Sequence, residues 1–244
     1  MLFRSGTVSV SGTATLQSGG ASAIALDVGT NNFGTVVIGG STTTNVTLVD
    51  ADGIILGGMD IDGNLDVDAG GDITDAATIT VAGTASFVST GDSSDLVLNQ
   101  LAVTGAIDVT TDDVTVDADF ADVTLVNATG IQFANTSNVE GALTATASTG
   151  DITDATGASL TVTGLATLTA SGNTITLGDQ GGDTTNFGSL DVTATTVSIT
   201  EDSATVLAGV SATTLNLTSA AGITDTGTVS VSGTATLQSG GASA

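Results

Sequence analysis

The stretch Gly6–Ala23, GTVSVSGTATLQSGGASA, returns letter for letter as Gly227–Ala244. Self-similar segments fold into self-similar structural units, each covering the apolar face of its neighbour. The chain therefore reads as a window on a longer tandem array, opening and closing inside the same repeat. Shorter, imperfect units start near residues 6, 77, 158 and 227. Each carries the motif Val-x-Gly-(Thr/Leu)-Ala-x-(Leu/Phe), at Val10–Leu16, Val81–Phe87, Val162–Leu168 and Val231–Leu237. Ile-Thr-Asp precedes it at Ile73–Asp75, Ile152–Asp154 and Ile223–Asp225. Asn-Phe-Gly follows it at Asn32–Gly34 and Asn186–Gly188, read here as a matched pair of turns with Phe33 and Phe187 in the core. Residues 1–5 fit no repeat and read as a cloning or sequencing scar, leaving 6–244 as one continuous repeat domain.

Between the markers lie short runs such as Val46–Leu48, Leu65–Val67, Ile79–Val81, Ile107–Val109 and Leu190–Val192. In each, apolar residues alternate with Thr, Ser or Asp, the period of a half-buried strand. Gly, Asn and Asp separate the runs, as tight turns require. No window holds the spacing of an amphipathic helix. A sandwich would have to pair strands far apart in sequence; a solenoid needs only a repeating turn. Tandem repetition favours the solenoid: an all-β, right-handed parallel β-helix, its hand set by the rule for parallel crossovers. With ~20 residues per coil and ~4.8 Å between coils, eleven or so coils would extend roughly 50 Å. Ends cut inside a repeat would lack polar caps, and would fray or stack end to end.

Charge narrows the partners. The chain holds 26 Asp and Glu against one cation, Arg4, for a net charge of −25. Such a surface repels nucleic acid and anionic membranes, and no apolar run is long enough for a membrane span. With no His, Cys, Tyr, Trp or Lys in the sequence, nucleophilic triads and thiol chemistry have no donors. The expectation is a protein that is not an enzyme and whose natural partners are cations.

The order of motifs carries a resemblance. Val-x-Gly-Thr-Ala-x-Leu, then Asn-Phe-Gly, then Val46–Ala51 and Leu65–Asp75 are similar to the repeats of large filamentous-haemagglutinin-like exoproteins of Gram-negative bacteria. That resemblance spans residues 6–244. It implies a right-handed parallel β-helix exported by two-partner secretion and placed outside the cell or on its outer surface. It further implies a stiff acidic stalk within an adhesin, whose partners are adjacent repeats and the surface of a host or neighbouring cell. The alternative is a binding module whose solenoid wall itself carries calcium or glycan sites.

Two acidic groups are the places where such sites would lie: Asp60, Asp62, Asp66, Asp68 and Asp72, and Asp112, Asp113, Asp117, Asp119 and Asp122. Clustered carboxylates suit calcium, and Asp66 and Asp68, two apart on a strand, should share a face. The first reading of both groups is solvating surface charge. The second is weak calcium binding, centred on the first group, with calcium as the one cofactor the chain would take. Neither the EF-hand spacing nor the calcium β-roll nonapeptide is present. Thr-x-Thr strands (Thr78/Thr80, Thr161/Thr163, Thr167/Thr169, Thr174/Thr176) would bind ice only if such pairs stacked on successive coils, and threonine otherwise simply suits strand surfaces.

Overall fold

A computed structural model describes residues 6–112 and 120–240, and at 41 and 42 the backbone. Among the described residues the elements are strands, with no helix. They pair in parallel and fall into two compact units, Met1–Asn127 and Ala128–Ala244, each a β-solenoid in which neighbours along the chain are neighbours in space. The division falls inside the sequence unit that starts near 77.

The first unit stacks apolar residues in columns, one per strand position. Ile54 lies beside Ile73, Ile73 beside Leu96, and Leu96 beside Val123. A second column runs Ile61, Val81, Val103, and a third Leu48, Val67, Phe87, Val109. All eleven side chains are at most 1% exposed. The second unit repeats the scheme with Ala145, Leu168, Val192 and Val210, and with Ile131, Ile152, Ile175, Val197 and Leu215. The alternation in sequence thus becomes an interior of like residues in contact, and the intervening Thr, Ser and Asp form the outer wall. Coil length varies: in-register partners on neighbouring coils lie from 17 residues apart (Leu190 and Leu207) to 27 (Leu96 and Val123).

One expectation is corrected. Asn-Phe-Gly is not a turn; it lies within the long strands Asn32–Asp50 and Thr184–Glu201. Phe33 pairs with Val10 and Phe187 with Val162, after which the register slips, so that Ser11 and Gly12 stand against Gly34, and Thr163 and Gly164 against Gly188. Val-x-Gly and Asn-Phe-Gly are therefore two sides of one bulged corner, and the bulge lets the strand bend without ending. The core assignment of the phenylalanines holds: Phe33 is 1%, Phe187 4% and Phe87 0% exposed.

Glycine permits the close approach at that corner. Gly164 donates its N–H to the Gly141 carbonyl at 2.9 Å, and a Cβ on Gly164 would lie 2.6 Å from the same oxygen. Gly83 sits on Gly63 in the same way, with the same two distances. At Gly83, Gly164 and Gly233 the motif glycine is a packing requirement between coils.

Candidate functional site

Asp and Asn serve chiefly to bridge coils. Asp72 Oδ1 accepts the N–H of Asp95 at 3.0 Å, and Asp95 Oδ1 accepts that of Asp122 at 2.9 Å. Asn45 accepts from Asn64, and Asn64 from Thr84, at 2.9 and 3.0 Å. Each side chain thus satisfies a backbone donor left over where the next coil turns, a role that needs an oxygen on a short stem. Two of the three Ile-Thr-Asp markers have the same function. Both oxygens of Asp75 accept from Asn99 and Gln100, at 3.1 and 2.7 Å, and Asp154 Oδ2 accepts from Gly178 at 2.7 Å.

A buried carboxylate supports each Asn-Phe-Gly corner. Asp50 Oδ2 accepts the Phe33 N–H at 2.7 Å and Oδ1 the Asp52 N–H at 3.1 Å. Glu201 Oε1 accepts the Phe187 N–H at 3.1 Å. Burial pushes the Asp50 carboxyl above its ordinary value of 3.8; the two N–H donors oppose this, and the Asp52 carboxylate adds to it. Partial desolvation likewise raises Asp66, although its side chain is exposed on the outer wall, with help from Asp68. A carboxyl whose folded pKa is raised contributes stability in full below about 3.8 and loses it as pH rises through the folded value. The melting temperature should therefore climb as pH is lowered from neutral toward the carboxylate range. Asp50→Asn and Asp66→Asn should each flatten that slope in calorimetric scans; slopes equal to that of the parent chain would refute the assignment.

The sequence-level candidates are distributed around the coil. Asp66 and Asp68 do share the outer face of strand Leu65–Ala69. Asp60 lies on strand Ile54–Ile61, in register with Thr80. Asp62 follows that strand, its N–H bonded to the Thr43 carbonyl, and Asp72 bridges to the next coil. In the second acidic group, Asp113, Asp117 and Asp119 lie outside the described residues. Asp112 donates its N–H to Ser89, and Asp122 is the end of the Asp72–Asp95 ladder. Of the Thr-x-Thr pairs, Thr167/Thr169 lies in register with Thr144/Thr146 on one side, but with Asp191/Thr193 on the other. Asp191 in turn faces Gly209, so the double threonine column is interrupted.

Sequence reasoning missed one group. Asp154, Asp179 and Asp183 each offer a carboxylate oxygen, all within 4.8 Å of one another. Asp154 is 5% exposed, Asp179 is on the surface and Asp183 is half-buried. Asp183 Oδ1 accepts from Gly157 and Oδ2 from Gln180, both at 2.7 Å, which fixes the Gly178–Asp183 loop against the coil before it. Gln180 also contacts Thr156. Burial raises the Asp154 carboxyl; the N–H groups of Gly178 and of Asp154 itself oppose this, while Asp183 and then Asp179 raise it further. The available signal was the Ile-Thr-Asp marker followed one coil later by Gly-Asp-Gln-Gly-Gly-Asp.

The chain belongs to a family described as repeats of unknown function (DUF5649), whose model matches residues 3–39, 43–93, 120–191 and 194–244. No curated protein and no solved structure matches it.

Proposed function

We propose that this segment is a structural spacer: a stiff acidic stalk in a secreted or cell-surface bacterial adhesin, projecting a binding domain carried elsewhere on the protein. The observation that carries this reading is the use to which the polar side chains are put. Asp72, Asp75, Asp95, Asp151 and Asp154 each accept a backbone N–H of the next coil. These carboxylates hold coil to coil, so the fold's output is mechanical continuity. Net charge of −25 keeps such a stalk soluble and away from anionic surfaces. The resemblance to filamentous-haemagglutinin-like repeats supports a location outside a Gram-negative cell.

Deleting one sequence unit from the intact protein tests the proposal. A spacer predicts that adhesion falls in a graded way with stalk length and that purified 6–244 does not coat cells. Saturable binding of the purified segment to cells would overturn it. A second reading is favoured by the groove lined by Ser171, Thr193, Thr195, Ser211, Thr213 and Ser232 in the second unit. Hydroxyls in that arrangement could hydrogen-bond a glycan, and a glycan array probed with the purified segment separates the two readings.

A further inference from the structure

We infer that Asp154, Asp179 and Asp183 form a calcium site of the second unit. Three observations converge on it. First, the three carboxylate oxygens lie within 4.8 Å of one another. Calcium–oxygen distances of about 2.3–2.6 Å let two ligands of one ion stand up to about 5 Å apart, so the spacing suits one ion shared among the three carboxylates.

Second, buried polar atoms are left without partners at this place. Among the described residues, the buried side-chain oxygens with no hydrogen bond are Asp154 Oδ1 and Thr185 Oγ1. Both adjoin Gly178. Its N–H is held by the other oxygen of Asp154 at 2.7 Å, and a Cβ on it would lie 3.0 Å from Thr185 Oγ1. In the first unit the carboxylate at the same Ile-Thr-Asp position is fully used: both oxygens of Asp75 accept backbone N–H groups. Asp154 departs from that pattern by keeping one buried oxygen in reserve, and a buried polar atom of this kind calls for a ligand.

Third, the charge has no internal partner. The chain's one basic residue is Arg4, so three converging carboxylates depend on a cation from solution. Oxygen donors alone select a hard ion, and a loop with glycines at 178, 181 and 182 tolerates calcium's irregular coordination better than magnesium's octahedron. The inference is independent of the spacer reading, which survives if the site fails.

Isothermal titration of the full chain with calcium, at physiological salt to screen diffuse attraction, tests it. The expected result is one saturable site per chain, with a dissociation constant on the order of 10⁻⁴–10⁻³ M, the range of extracellular modules. Asp179→Asn removes a surface carboxylate that the fold does not need, and should weaken binding about tenfold or more. Asp154→Asn should do the same, while Asp66→Asn/Asp68→Asn should leave the site intact. Loss of the saturable phase in the Asp66/Asp68 variant but not in Asp179→Asn would overturn the assignment. So would a non-saturating response identical in all variants, the mark of counterions alone, or equal affinity for magnesium.

Discussion

Gly164→Ala is expected to destabilise the second unit by about 3 kcal/mol, the upper range for forcing an extra methyl into a packed site. The new Cβ would stand 2.6 Å from the carbonyl oxygen of Gly141, 2.9 Å from its carbon and 3.1 Å from the nitrogen of Ala142. All three are backbone atoms, so no side chain can rotate away. Relief requires parting two coils and lengthening the Gly164–Gly141 hydrogen bond, now 2.9 Å. The same sequence motif supplies the control. A Cβ on Gly12 would meet nothing within 4 Å, and Gly12 is not among the glycines with positive φ. Gly12→Ala should thus be neutral or stabilise by a few tenths of a kcal/mol through the unfolded chain. Gly233, with a Thr213 oxygen 2.7 Å from its would-be Cβ, should resemble Gly164. Urea titrations of the three variants decide the matter: equal effects at Gly12 and Gly164 would show that intrinsic propensity, not coil contact, sets the cost.

That contrast shows what the sequence made legible. Repetition and period-2 alternation were enough to derive parallel coils and the interior residues, because every coil obeys the same local rule and no distant pairing has to be guessed. Val46, Leu65, Ile107 and Leu190 all lie where the alternation put them. Asn32–Gly34 misled because glycine after a polar residue is the usual mark of a turn. Here the glycine serves a bulge, a distinction that depends on Ser11 and Gly12 in the neighbouring coil. The acidic residues show a related limit of reading along the chain. Density along the chain drew attention to Asp60–Asp72, whereas a solenoid gathers residues across coils. Asp154 and Asp183 meet because the loop after strand Ser159–Leu177 returns over strand Ile152–Asp154, the two strands pairing at Ile152 and Ile175. Counting carboxylates at one-coil offsets, not within a window, would have found them.

Val81→Asp should abolish cooperative folding of the coils around it. Val81 is 0% exposed and stands between Ile61 and Val103, themselves 1% and 0% exposed. The chain offers one basic residue, Arg4, and none of these apolar neighbours has a donor, so the carboxylate would enter the column unpaired. Such burial costs several kcal/mol even after the group shifts its pKa to escape ionisation. Against the ~5–15 kcal/mol total of an ordinary domain, that is a loss few folds absorb. Because each coil relies on its neighbours, the damage spreads along the stack before it is contained. Hydrogen exchange should therefore show lost protection first in Met59–Ile61 and Leu101–Val103, the segments in register with Ile79–Val81. Acid should partly rescue the variant, since a protonated carboxyl is cheaper to bury: its deficit relative to the parent should shrink as pH falls toward the carboxylate range. Thr80→Asp places the same group one residue away on the outer wall, in register with Asp60. There the cost is a like-charge pair in water, about 1 kcal/mol or less. If the two variants melted alike, Val81 would not be interior and the column of stacked side chains would not exist.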